Sequence, residues 1–266
     1  MKRIFIDISK WNCNEKNLKT YFDFIQIEEQ QRIRQFYRFE DKKRSLAGRL
    51  LLKFKSSEIY GKKPKQLEFG RTIYGKPYLI EHSEFEANIS HHSKYVIFGF
   101  EEFNCQIGVD VVEIKEEKEE NQTIHFFQDF QECFTKKEWE QILQPLQNKD
   151  KFIRFFWFWS LKESFIKADG KGLSFGLFRI EFIINWESII SLNFVRGGIS
   201  KNDPIQLFID GVFSSDWIFE STFIDNSFIF SVCFKNVNHL LNFDEIPFQN
   251  FEEISIDEMC SKMKEK

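Results

Sequence analysis

A carboxylate and an ammonium stand four residues apart in an otherwise aromatic stretch, WFWSLKESFIKADGKGLS, running from Trp157 to Ser174. At 100° per residue Phe152, Phe155, Trp159 and Ile166 share one face of a helix, and Glu163 falls among them, so its carboxylate should be partly buried. The same Glu163–Lys167 spacing is that of an ordinary surface ion pair worth roughly 0.2–0.5 kcal/mol, and the stretch alone leaves both readings open. A second carboxylate, Asp110, sits in the strand-like run QIGVDVVEI. Asp is disfavoured there and, once buried, needs a partner or a metal, so a structural salt bridge and a functional site both fit. Asp110 and Glu163 with Lys167 nearby would suit a hard cation such as Mg²⁺ bridging to a diphosphate.

Groups able to meet phosphates lie upstream. Asn88-Ile89-Ser90-His91-His92 offers hydroxyl, imidazole and backbone groups at a strand-to-loop junction. A His-His pair is also common polar surface, and no third His is placed to complete a zinc site. In DKKRSLAGRLLLKFK the cations Lys42, Lys43, Arg44, Arg49, Lys53 and Lys55 surround an apolar stripe of Leu46, Leu50 and Phe54; a solvated helix face is the simpler reading of that pattern. GRTIYGKP, Gly70 to Pro77, satisfies GxxxxGK, but Pro77 stands where a P-loop needs the magnesium-binding hydroxyl and YLI follows as a strand, so a nucleotide-kinase reading is rejected.

The elements that must position these residues read as mixed α+β. An opening strand, RIFIDI, leads to a polar helix near Leu18–Ile25 and a helical region from Glu28 to Ile59 that stops before Gly61. Strands follow in YGKPYLI, ANIS, KYVIFGF and CQIGVDVVEI. The charged, aperiodic run from Glu113 to Asn121 predicts a mobile loop. Helical periodicity resumes from Thr123 to Leu143 and through the aromatic stretch, followed by strands in FRIEFII, IQLFIDG, DWIFEST and SFIFSVCF and a frayed tail after Phe248. Each half presents a helix, a Gly-Lys turn (Gly75-Lys76 and Gly170-Lys171) and antiparallel strands, a weak sign of two related halves.

At 266 residues the chain suits one compact unit or two halves, and its 34 Phe residues imply a core filled by rings. A net charge of −4 argues against nucleic acid as main partner and requires any anion site to come from local clustering. The five cysteines are widely spaced without a CxxC, which fits a reducing compartment. No run approaches a membrane span or a signal-peptide core, so a cytosolic protein without membrane association is expected.

Four blocks taken in order, SLAGRLLLKF, YGKPYL, NISHH with GVDV, and WSLKESFIKADGKGL, resemble the 4'-phosphopantetheinyl transferases. The last block meets the family pattern W-x-x-K-E-S-x-x-K-x-x-G-x-G-L at every fixed position. FTKKEWEQI and LFIDG are similar to the broad-range eukaryotic cytosolic subgroup.

The resemblance implies a monomer of two similar α+β halves with a pseudo-twofold relation, residues 1–104 on the coenzyme A nucleotide side and 105–266 carrying magnesium and the catalytic helix, with the active site in the cleft between them. It implies transfer of 4'-phosphopantetheine from coenzyme A to a serine of apo acyl or peptidyl carrier domains, of fatty acid synthase, polyketide synthase or aminoadipate reductase type. By the same likeness Asp110 and Glu163 ligate Mg²⁺, Glu163 helps deprotonate the carrier serine, and Lys167 neutralises the diphosphate. Arg49 and His91 meet the 3'-phosphate; Tyr74, Gly75, Lys76, Pro77, Tyr78 and Leu79 flank the adenine; Asn88, Ile89, Ser90 and His91 complete the nucleotide wall. Many bacterial members carry a Glu two residues after the Asp where this chain has Val112, and water is expected to replace that ligand. Val112 is also the one feature favouring a rival reading, a non-catalytic adaptor that keeps the coenzyme fold and carrier-binding surface; a second rival, a nucleotide-binding regulatory module, predicts adenine-nucleotide binding without transfer.

Overall fold

The computed structural model describes residues 2–82, 84–101, 105–116, 120–189, 191–225, 227–235 and 250–265. The chain divides into two units, Met1–Asn104 with Phe248–Lys266, and Cys105–Pro247. Both mix helices with largely antiparallel sheet, the α+β class expected from the sequence.

In the first unit β1 (Lys2–Asp7) pairs antiparallel with β5 (Tyr95–Glu101), which pairs antiparallel with β4 (Glu86–His92). Helix α2 (Phe39–Tyr60) covers this sheet, burying the expected stripe of Leu46, Leu50 and Phe54, and ends at Gly61 in the left-handed region. The single helix expected from Glu28 to Ile59 is two: α1 (Ile27–Gln35) precedes α2, and the extended backbone of Phe36 and Arg38 separates them. The polar segment before them forms a 3-10 helix, Leu18–Phe24. Strands β2 (Phe69–Arg71) and β3 (Pro77–Leu79) form a hairpin whose turn requires Gly75 at a φ of +86°.

The tail corrects two expectations. It is not frayed, and it does not join the second unit: β13 (Glu252–Glu253) adds to β1 as the one parallel pair among the described strands, and α6 (Ile256–Glu265) packs on α2. The cause is legible spacing, since Ile256, Met259, Cys260 and Met263 recur at i, i+3, i+4 and i+7 and are all buried.

The second unit holds a sheet ordered β6 (Ile107–Glu113), β12 (Phe228–Lys235), β11 (Trp217–Ile224), β8 (Val195–Gly197), and a smaller one ordered β10 (Val212–Ser214), β9 (Ile205–Ile209), β7 (Ile180–Ile184). Helix α5 (Asn148–Asp169) lies on β6 and β12. The helix expected from Thr123 to Leu143 divides into α3 (Glu120–Asp129) and α4 (Lys136–Leu143), because Thr135 and Glu138 form a capping box that starts a new helix. Of the charged run expected as a loop, Glu113 closes β6, Glu120 opens α3, and residues 117–119 lie outside the described residues. Rings bind these helices together: Phe155 on α5 meets Phe126 on α3 at 4.8 Å and Trp139 on α4 at 6.2 Å between centroids. In each unit a 22-residue helix ends on a left-handed glycine followed by lysine, at Gly61-Lys62 and Gly170-Lys171, whereas Gly75-Lys76 lies in the turn between β2 and β3.

Candidate active site

The site in the second unit begins with a missing side chain. A Cβ on Gly108 of β6 would overlap the carbonyl oxygen of Ser164 and the amide nitrogen of Ala168, so only glycine lets α5 lie this close to the strand. Gly108, Asp110 and Val112 alternate onto the same face of β6, and this close approach brings Asp110 to the last turns of α5. Lys167 Nζ donates to Asp110 Oδ1 at 2.6 Å and lies 4.0 Å from Glu163 Oε2. The three residues singled out from the sequence therefore form one cluster. Glu163 and Lys167 are an i,i+4 pair, as the spacing required, but Asp110 holds the ammonium more closely than Glu163 does.

Burial raises the Glu163 carboxyl above its ordinary value; Lys167 opposes that rise and the charge of Asp110 adds to it. The folded protein thus holds this proton more tightly than the unfolded chain. Its contribution to stability is present below the ordinary carboxyl range and is lost as pH rises through the raised value. Glu163→Gln is accordingly expected to raise the melting temperature at pH 7 and to flatten its fall between pH 4.5 and 7. Thermal melts across that range check this, and a variant less stable than the parent at pH 7 contradicts it.

Two carboxylates crowding one ammonium are an oxygen donor set of the kind a hard divalent cation takes, and the raised Glu163 carboxyl is the strain such a cation would relieve. No group of three or more His, Cys, Asp or Glu able to hold a metal occurs among the described residues. Val112 is buried in the apolar core opposite Ile229 and offers nothing to a cation. Asp110 and Glu163 are thus the two carboxylates here that could hold such a cation, whose remaining positions would fall to groups from outside the protein.

Two supports were not anticipated from the sequence. Ser231 stands opposite Asp110 on β12, its hydroxyl is 3.0 Å from that of Ser221, and Ser221 accepts from Trp157 Nε1 at 2.9 Å, so the sheet under α5 carries a buried polar row. Lys162, a fixed position of the same motif, faces away from Asp110. It is 1% exposed, pairs with the wholly buried Glu138 at 2.8 Å and donates to the carbonyls of Leu177 and Ile180 at 2.8 and 2.5 Å. Glu138 accepts in turn from the amides of Phe182 and Thr135, at 2.9 and 2.8 Å. Lys162 is structural: it ties α5 to α4 and to the chain before β7.

In the first unit the basic helix is not a solvated face. Lys42 pairs with Glu15 at 3.2 Å, Lys43 lies over the Trp11 ring, Arg44 reaches Asp41 and the carbonyl of Ser93, Lys53 is buried against the carbonyls of Pro64 and Leu67, and Lys55 pairs with Glu58 at 2.6 Å. Arg49 Nε is held by Glu29 of α1, and Arg71 Nη2 donates to the same carboxylate at 3.1 Å. Arg71 and Glu29 were missed because nothing in their sequence spacing relates them to Arg49. These three residues line one crevice with Pro77.

The first-unit residues singled out in Asn88 to His91 divide between two faces of β4. Ile89 lies against Gly48 of α2, and His91, two residues on, shares that face and is exposed. Asn88 and Ser90 are buried on the opposite face. Lys76 pairs with Glu86 at 2.6 Å, at the start of β4 and about 17 Å along the strand from His91. Tyr74 is exposed at the hairpin turn, the Tyr78 ring covers Gly70, and Leu79 is buried.

The sequence that builds this frame and this cluster matches known families. Residues 9–102 match 4'-phosphopantetheinyl transferase, N-terminal, and residues 106–233 match the 4'-phosphopantetheinyl transferase superfamily. The chain is 34% identical over 216 residues to the human L-aminoadipate-semialdehyde dehydrogenase-phosphopantetheinyl transferase, covering 79% of this chain and 67% of that one. It is 35% identical over 175 residues to a phosphopantetheinyl transferase of Thraustochytrium, 63% of this chain and 60% of that one. It is 32% identical over 165 residues to 4'-phosphopantetheinyl transferase Sfp of Bacillus subtilis, 62% of this chain and 68% of that one. The protein belongs to the 4'-phosphopantetheinyl transferase superfamily.

Proposed function

We propose that this protein transfers 4'-phosphopantetheine from coenzyme A to a serine of apo acyl or peptidyl carrier domains, with Mg²⁺ bound by Asp110 and Glu163, and releases adenosine 3',5'-bisphosphate. The observation that carries this reading is the convergence of Asp110 and Glu163 on the Lys167 ammonium, at 2.6 and 4.0 Å. In the reaction the serine oxygen forms a bond to the β-phosphorus of the diphosphate while the bond from that phosphorus to the bridging oxygen breaks. Glu163, whose burial raises its affinity for a proton, accepts the serine proton. Lys167 offsets the charge growing on the departing bisphosphate, and Asp110 orients that ammonium. Mg²⁺, when bound, supplies neutralisation of the diphosphate.

Arg49 and His91 are assigned to the 3'-phosphate, Tyr74 to Leu79 with Lys76 to the adenine, and Asn88 to His91 to the nucleotide wall. The carriers are of the fatty acid synthase, polyketide synthase or aminoadipate reductase kind, the last supported by the name of the human relative. A cytosolic monomer divided into nucleotide-side and catalytic halves completes the reading. No helix among the described residues is long and apolar enough to cross a membrane.

Release of adenosine 3',5'-bisphosphate from coenzyme A tests the transfer: release that requires the carrier serine supports it, and release indifferent to that serine, or none, counts against it. The metal has its own test. With only two protein carboxylates, affinity for Mg²⁺ alone is expected to be weak, and coenzyme A should raise it because the diphosphate supplies ligands and charge. By linkage Mg²⁺ then tightens coenzyme A by the same factor. In calorimetric titrations Asp110→Asn should remove most of this coupling; coupling left intact would make Asp110 a purely structural residue.

A further inference from the structure

We propose that Glu29 is a positioning residue that sets the enzyme's preference for the 3'-phosphate of coenzyme A, by fixing the Arg49 guanidinium so that its terminal nitrogens face the anion. The inference rests on the reading of Arg49 as the 3'-phosphate contact. Glu29 stands in the first turn of α1 and is largely buried, yet its carboxylate receives three guanidiniums from three elements: Arg49 of α2 through Nε, Arg71 of β2 at 3.1 Å, and Arg32 of α1 at 3.6 Å. Three cations on one anion leave the cluster with an excess of positive charge, the condition for attracting a phosphate.

The pattern of donors says which arginine is left to read it. Arg71 is committed, with Nη1 donating to the carbonyl of Gly75 at 2.9 Å and Nη2 to Glu29. Arg49 has only its Nε engaged, and its two terminal nitrogens make no hydrogen bond among the described residues. A guanidinium held at Nε by a carboxylate keeps its plane fixed and presents the outer pair of N–H groups in the fork that phosphate oxygens accept. Without Glu29 no carboxylate among the described residues lining the crevice opposes the mutual repulsion of Arg49 and Arg71, and Arg49 loses that orientation. Among the described residues, the other charged group lining the crevice is Lys53, whose ammonium is turned to the backbone carbonyls of Pro64 and Leu67.

The test compares affinities for coenzyme A and dephospho-coenzyme A by calorimetry in the full-length protein and in Arg49→Ala, Glu29→Ala and Glu29→Gln. The parent should prefer coenzyme A, and Arg49→Ala should remove most of that preference, leaving the share that His91 supplies. Glu29→Ala should lower the preference by about tenfold or more while leaving dephospho-coenzyme A affinity within about twofold, and Glu29→Gln should recover part of the loss because its amide oxygen still accepts from Nε. Unchanged dephospho-coenzyme A binding reports intact folding in each variant; where Glu29→Ala does not fold, the isosteric Glu29→Gln decides by whether the preference falls. If Arg49→Ala lowers the preference and folded Glu29 variants keep or increase it, Glu29 merely ties α1 to α2 and the proposal is overturned. If Arg49→Ala itself leaves the preference intact, the reading of Arg49 fails and the proposal falls with it.

Discussion

Replacing Lys167 with Ala should lower turnover by on the order of 10² to 10³ while the protein remains folded, the loss expected when a group that stabilises developing charge is removed. Lys167 is held against both Asp110 and Glu163, and it is part-exposed, so its stem is not needed to fill the core. The loss should fall mainly on kcat, because the charge it meets grows on the departing oxygen in the transition state. Single-turnover rates with saturating coenzyme A, beside near-ultraviolet circular dichroism, check this. Near-normal turnover would return Glu163 and Lys167 to an ordinary i,i+4 pair.

The second large effect concerns the other lysine of the motif. Lys162→Ala is expected to destabilise the protein by about 3–5 kcal/mol, because it leaves the Glu138 carboxylate wholly buried with no opposite charge. Burial pushes Lys162 down and Glu138 up, each away from its charged form, and their attraction with the surrounding carbonyls and amides opposes that. Removing both charges is therefore the milder change: Lys162→Met with Glu138→Leu should recover most of the loss. Urea unfolding of the two single variants and the double one measures this. A single variant within about 1 kcal/mol of the parent would show that the pair contributes little.

These two lysines mark how far the sequence could be read. Glu163, Lys167 and Asp110 stood out because ionic side chains in apolar runs need a reason, and the fold brings all three together. Lys162 and Lys167 are five residues apart on one helix with opposite fates, and local pattern does not separate them: the difference lies in Glu138, which reaches Lys162 only after α4 has packed on α5. Arg49 was legible as part of a basic stripe, whereas its partner Glu29 and neighbour Arg71 come from elements related to it only by tertiary packing. Strands were read well where Val, Ile and Phe ran together. The short β2, β8, β10 and β13 escaped because three or fewer residues carry no usable alternation. The break at Phe36–Arg38 has no Gly or Pro to announce it. By contrast, α6 was readable and overlooked: Ser255, which accepts from the Glu258 amide at 3.1 Å, caps an apolar i, i+3, i+4, i+7 series.

Transfer is tested most directly by the intact mass of an apo carrier domain incubated with this protein, coenzyme A and Mg²⁺. The carrier should gain the mass of one phosphopantetheine on its acceptor serine, and a carrier with that serine replaced by Ala should gain nothing. A carrier of unchanged mass in the presence of protein that demonstrably binds coenzyme A would contradict the transferase reading and leave a non-catalytic adaptor in its place.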